Sequence, residues 1–250
     1  MKKLTLTIVC AMAVSGAAFA QGTINWNSFS PAAITFQTNS AVFSPLIGGG
    51  VGFYDGTVGS TATASGGFYY ELLYNTAFTG SQISGASAPS NSAAALFGGT
   101  WKDAGALAQN ATGTAGAITG DPVNTSLTLP SGWNHGTTNN IVLVGWSSNL
   151  GTTWTGVSNI MAQAAGGNWV PLDVQLLDGW GFFGVSAAGY INPATGSPGA
   201  VVFSTAAGSQ GLPIKSLNTQ LYLVVDIPEP ATMALVGLGG LSLLLFRRRK

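Results

Sequence analysis

Phe68-Tyr69-Tyr70-Glu71-Leu72-Leu73-Tyr74 reads as a β-strand, with Phe68, Tyr70, Leu72 and Tyr74 on one face. Further on, Ile141-Val142-Leu143-Val144-Gly145-Trp146 is apolar without alternation, the pattern of a central strand covered on both faces. Shorter runs surround these two. Leu127 and Leu129 alternate with Ser126 and Thr128, and Leu172, Val174 and Leu176 alternate with Asp173 and Gln175. Segments 24–29, 34–37, 51–54, 182–187, 200–203 and 221–225 are weaker candidates. Helices are scarce. Ser158 is placed to cap 159–165 with Gly166 at the stop, and 92–97 and 103–110 suit single turns or short helices. The pattern predicts an all-β domain, a β-sandwich or jelly roll with few short helices. Segments 79–93 and 104–122, rich in Gly, Ala, Ser and Thr, read as surface loops. No blade-length repeat suggests a propeller.

Composition narrows the function. The 250 residues carry 8 basic and 8 acidic side chains, but the two signs are segregated. Lys2, Lys3, Arg247, Arg248, Arg249 and Lys250 sit at the ends. Between Gln21 and Asp226 only Lys102 and Lys215 oppose Asp55, Glu71, Asp103, Asp121, Asp173, Asp178 and Asp226. A sparse acidic surface cannot replace counterions on phosphates, so nucleic acid is excluded as a partner. With 10% aromatics and many β-branched runs, the chain packs a core despite only 6% charged residues. Its single cysteine, Cys10, lies in the N-terminal segment, leaving the remainder without disulfide, thiolate or cysteine-bound metal. Large Val9 before Cys10 argues against lipidation there.

The two ends carry addresses. Residues 1–20 have the order of a secretory signal: Lys2 and Lys3, a short apolar run over 4–14, and Ala18-Phe19-Ala20, with Ala18 and Ala20 the small residues of a cleavage site. So short a run cannot span a hydrocarbon core of roughly 30 Å. At the other end, 227–250 holds Pro228-Glu229-Pro230, an apolar run 231–246, and the cluster Arg247-Arg248-Arg249-Lys250. At about 1.5 Å per residue the run makes a helix of roughly 24 Å, viable as a span with flanking arginines reaching the headgroups. The basic cluster is a cytoplasmic stop. Each proline biases the residue before it toward extended backbone, presenting Glu229 in the form a protease or transpeptidase accepts. The domains expected are therefore a signal peptide (1–20), an all-β ectodomain (21–226) and a tail (227–250) with a transmembrane helix (231–246).

Pro228-Glu229-Pro230, the short helix bearing Gly237, Gly239 and Gly240, and the terminal arginines resemble the PEP-CTERM sorting domain over about residues 226–250. The resemblance implies an exosortase-like processing enzyme as partner and transient anchoring in the inner membrane. Removal of the tail and delivery to the cell surface or extracellular matrix follow, in the company of exopolysaccharide and biofilm. A permanent single-span anchor is the alternative. Val144-Gly145-Trp146-Ser147-Ser148-Asn149-Leu150-Gly151-Thr152-Thr153-Trp154 resembles a segment of uncharacterised exported proteins of verrucomicrobia-like bacteria, which implies no activity.

Catalytic groupings are missing from the pattern. His135 is the sole histidine, in the turn-like Ser131-Gly132-Trp133-Asn134-His135-Gly136, and no G-x-S-x-G elbow occurs. Asp173 and Asp178 are the nearest carboxylate pair outside the tail, where strand polarity and turn chemistry account for them, as strand polarity does for Glu71. Asp121, Asn124 and Asp55-Gly56 lack calcium-loop spacing, and Gly48-Gly49-Gly50-Val51-Gly52 lacks a phosphate-loop lysine. No enzyme, metal or cofactor is expected. The seven tryptophans stand out, and Trp101, Trp133 and Trp154, in loop-like contexts, are the candidate glycan contacts. Three roles follow: a structural or adhesive matrix protein, a carbohydrate-binding module, and last a secreted glycosidase or lyase.

Overall fold

A computed structural model describes residues 21–26, 32–47, 58–61, 66–77, 82–83, 88–89, 92–121, 127–130, 133–176 and 180–225. The signal segment, candidate strand 51–54 and the tail lie outside these residues. Along the chain run β1 (Thr23–Asn25), β2 (Ile34–Phe43), β3 (Val58–Ser60), β4 (Phe68–Asn75), α1 (Ala93–Phe97), β5 (Trp101–Asn110), β6 (Ile118–Asp121), β7 (Leu127–Thr128) and β8 (Asn139–Ser147). Then come α2 (Trp154–Ala165), α3 (Val170–Leu176), β9 (Trp180–Val185), β10 (Gly189–Ile191), β11 (Ala200–Val201), β12 (Gly211–Leu212) and β13 (Ser216–Val225).

The two strands on which the sequence reading turns are neighbours. β4 pairs antiparallel with β8 from Phe68↔Ser147 to Asn75↔Asn140. β8 is buried at every position, as its unbroken apolar run predicts. The large sheet has the order β3-β2-β13-β9-β8-β4-β5-β6, with β10 and β12 branching from β8. It is mixed, because β2 runs parallel to β13.

That sheet bends back on itself. The Phe36 amide donates to Gly116 O at 2.8 Å, Gly116 N–H to Thr61 O at 3.1 Å, and Thr61 N–H to Phe36 O at 3.2 Å. These bonds join the β2–β3 side of the sheet to the approach to β6, so its two ends meet. Only glycine fits at the junction. Gly116 has φ +76°, and a Cβ there would lie 2.9 Å from Phe36 O. The rings of Phe36 on β2 and Tyr70 on β4 then touch across the interior, with centroids 4.7 Å apart. The inner core gathers Phe36, Tyr70, Leu72, Ile118, Leu143 and Leu221 from five strands around the circuit. Closure pairs off edge groups that an open sheet leaves bare. The smaller sheet, β11-β1-β7, adds Ile24, Ala200 and neighbouring Trp26 to the same core.

The opposite face of the large sheet is covered by helices. Leu73, Val142, Val144 and Trp146 pack there with Trp154, Val157, Met161 and Ala164 of α2 and Leu172 and Leu176 of α3. In α2 those spacings form one stripe of a helix, so it begins at Trp154, earlier than the cap at Ser158 suggests, and ends at Gly166 as expected. Ser92 caps α1 by accepting from Ala95 N–H at 3.2 Å.

The mostly-β composition with few short helices holds, but three expectations change. Instead of two facing sheets of a sandwich or jelly roll, one large sheet curls and a small one adjoins its core. Leu172-Asp173-Val174-Gln175-Leu176 is helical: Leu172 and Leu176 are buried while Val174 is 69% exposed, which a strand with all three on one face cannot give. Segment 103–110 is strand, with Ala104, Ala106 and Ala108 alternating into the inner core. Alanine has low strand propensity, and its use here is its small size beside bulky Tyr70 and Trp26. Among the described residues no helix is long and apolar enough to cross a membrane.

Candidate functional site

The most unusual side chain of the described residues is Glu71. It faces the helix-covered side of β4, between Tyr69 and Leu73, and is 5% exposed. Its position follows from a bulge. Glu71 pairs with Leu107 and Leu73 with Asp103, so β5 carries two extra residues at this step. Gly105, at φ +68°, turns the chain there. Two carboxyls satisfy the amides that the bulge frees. Glu71 Oε1 accepts from Ala106 N–H at 2.7 Å, and Asp103 Oδ1 accepts from Gly105 N–H at 2.6 Å. Burial, then the negative charge of Asp103 and a hydrogen bond to it, push Glu71 up to about 9, against a smaller opposing pull from Ala106 N–H. Glu71 therefore keeps its proton at neutral pH and donates it toward exposed Asp103. Tyr74 is raised too, by burial and then by Asp103.

This is a neutral acid beside a carboxylate, a combination suited to proton donation. Its orientation argues for another use, because the Glu71 oxygen is held by the bulge's own backbone. Glu71 is not the solvated strand residue expected from alternation. The signal overlooked is its neighbours: a carboxylate flanked by Tyr70, Leu72 and Leu73 in a strand with both faces covered has no route to water.

The three candidate glycan contacts are buried, which corrects their reading as exposed contacts. Trp101 begins β5 at 6% exposed, and Trp154 begins α2 at 7%, its ring 6.3 Å from those of Phe97 and Phe183. Trp133 is fully buried, stacked on Tyr74 at 4.7 Å, with its indole N–H on Thr137 O at 3.2 Å. Indoles worth several kcal/mol each in packing have been drawn inward by a chain with few other large side chains to fill two cores. Trp26 and Trp146 are buried as well, Trp169 is half-buried and Trp180 is 49% exposed.

The remaining candidates do not assemble. His135 is exposed, with Nδ1 2.8 Å from Pro193 O. Asp55, Asn124 and Asp178 lie outside the described residues, as do the side chains of Asp121 and Asp173. Among the described residues no three His, Cys, Asp or Glu side chains gather as metal ligands. A groove of about 290 Å³ runs between α1 and α2, lined by Phe97, Ala93, Ala94, Ala162, Ala165 and glycines. It presents no polar side chain with which to orient a sugar.

The exposed large apolar side chains have a pattern of their own. Trp180 starts β9 in register with Val225, the last residue of β13. α3 is pinned beside it: Gln175 Nε2 donates to Asn149 O at 2.9 Å, and Asn149 Nδ2 to Trp180 O at 2.6 Å. Val170 and Val174 on α3 are 64% and 69% exposed. Because β2 and β13 are parallel, 46% exposed Val42 lies at this same end, where Phe43 pairs with Leu223.

Val225, the last described residue, lies at this end. The PEP-CTERM protein-sorting motif matches residues 226–250, beginning directly after Val225. No curated protein and no solved structure matches the chain, and nothing supports the verrucomicrobia-like resemblance of 144–154. The motif implies recognition by an exosortase-like processing enzyme, with export and cell-surface sorting.

Proposed function

We propose that the chain is an exosortase substrate whose folded part, exported by the 1–20 signal and briefly anchored through 231–246, serves a structural or adhesive role in an exopolysaccharide-rich surface matrix. The motif match at 226–250 carries this reading. The order of the tail supplies the mechanism. A helix of 231–246 holds the substrate at the membrane, the Arg247–Lys250 cluster fixes its depth, and the extended Pro228-Glu229-Pro230 step exposes the backbone to the processing enzyme. Cleavage there releases the ectodomain for delivery.

A non-enzymatic role for the ectodomain is supported by the engagement of its buried acid. The Glu71 oxygen is occupied by Ala106 N–H within a bulge. Glycan stacking by Trp101, Trp133 and Trp154 is not retained, since all three rings are in the cores. Sorting is tested by blotting wild type beside Glu229→Ala in a host with an exosortase. Wild type is expected as a shorter, surface-released form and Glu229→Ala as a longer, membrane-retained one. Equal sizes and equal retention overturn the reading.

A further inference from the structure

We infer that the end of the domain bearing Val42, Val170, Val174 and Trp180 rests against the bilayer interface while the tail is attached. The inference rests on the membrane-anchored tail proposed above, and extends it to the folded part. Chain length sets the geometry. From Val225 only residues 226–230 precede the apolar run, and at no more than ~3.6 Å each they reach roughly 18 Å. Trp180, the register partner of Val225, is confined to the same thin layer above the membrane. Ser216, at the start of β13, is held about 30 Å away along the strand.

The side chains at the two ends differ accordingly. Of the exposed large apolar residues, Val42, Val170, Val174 and Trp180 lie at the tail-proximal end, while Leu217 lies at the far end of β13 with the less exposed Val201 near it, next to Val202, whose carbonyl accepts from Ile214 N–H. Val170 and Val174 are one helical turn apart and share a face. Tryptophan with one wet and one apolar side is the residue favoured at headgroup level. The tail makes contact intramolecular, so weak affinity suffices to orient the domain. Charge selects the lipid. Asp173, Asp178 and Asp226 flank this region in sequence and Lys215 is at the opposite end, so the contact is apolar and favours zwitterionic over anionic headgroups.

The test uses the full chain with Cys10→Ser, which leaves no other cysteine, reconstituted in phosphatidylcholine vesicles. Val174→Cys and Leu217→Cys each receive an environment-sensitive NBD label. Both proteins are expected to float with the vesicles. NBD at 174 is expected to be blue-shifted and quenched by brominated lipid at least about twofold more than at 217. Adding Trp180→Ser is expected to reduce that quenching, as is replacing part of the lipid with phosphatidylglycerol. Flotation with equal quenching at both sites overturns the membrane face and leaves the anchor intact. A blue shift at 174 without bromolipid quenching overturns it in favour of a second copy covering the face. Failure to float overturns the anchor, and the inference with it.

Discussion

The two faces of the β4–β8 pair achieve burial by different means. On the inner face, Tyr70, Leu72, Tyr74, Ile141 and Leu143 are enclosed by the curled sheet, sealed by backbone bonds through Gly116. On the outer face, Leu73, Val142, Val144 and Trp146 lie under α1, α2 and α3, which are attached by side-chain packing. An enclosure made of backbone cannot shift to fill a void, whereas a helix lying on a sheet can slide. The inner face therefore depends on shape complementarity. The outer face tolerates irregularity, including a bulge and a buried carboxyl.

Removing one large ring from each side gives the sharpest contrast. Trp133→Ala empties a site with 0% exposure and loses the Tyr74 stack, and is expected to cost about 3–5 kcal/mol. Trp154→Ala removes a ring of equal size from under α1 and α2, where the helices can settle, and is expected to cost less. Urea unfolding of both variants and wild type measures the difference. Equal losses, or a larger one at Trp154, remove the distinction between the cores.

Two glycines of similar backbone conformation refine it. Gly116 and Gly105 have φ of +76° and +68°. A Cβ at Gly105 meets nothing within 4 Å, whereas one at Gly116 meets Phe36 O at 2.9 Å in the sheet closure. Gly105→Ala thus bears the left-handed cost alone, about 1 kcal/mol, and Gly116→Ala bears that plus the displaced closure, roughly 2–3 kcal/mol. Hydrogen exchange at the Phe36 and Thr61 amides is expected to accelerate in Gly116→Ala and not in Gly105→Ala. Identical stabilities would mean that the closure adds nothing.

What could be read in advance follows the same division. β4 and β8 were legible because their apolar patterns are long and burial on one or both faces leaves a direct imprint. So was the tail, whose three parts are contiguous in sequence and need no folding to be seen. α3 was misread because five residues alternating apolar and polar fit either period, and only tertiary burial of Leu172 with Leu176 decides between them. β5 was hidden because alanine and glycine signal loops locally, while their value here lies in what stands opposite them. The closure at Gly116 joins residues from β2, β3 and the approach to β6, and no local pattern encodes such a meeting. The tryptophans were misplaced for the converse reason: turn-like neighbours describe the backbone around Trp133 without saying which way the ring points.

A change of pH tests the outer face alone. Glu71 has its proton affinity raised from the ordinary 4.5 to about 9. A carboxyl that binds its proton more tightly when folded contributes stability fully below the unfolded value, and loses it as pH rises toward the folded one. Stability is therefore expected to fall as pH rises from 4.5 toward 9. Glu71→Gln keeps an oxygen for Ala106 N–H and a donor toward Asp103 without titrating, so its unfolding midpoint is expected to vary less over that interval. Asp103→Asn removes the neighbouring charge and narrows the window from its upper end, because burial remains as the main cause. If the slope of stability against pH is the same in wild type and Glu71→Gln, Glu71 does not retain its proton in the folded state. The bulge would then be held by a charged carboxylate, and the outer face would tolerate even more irregularity than the contrast with the inner face requires.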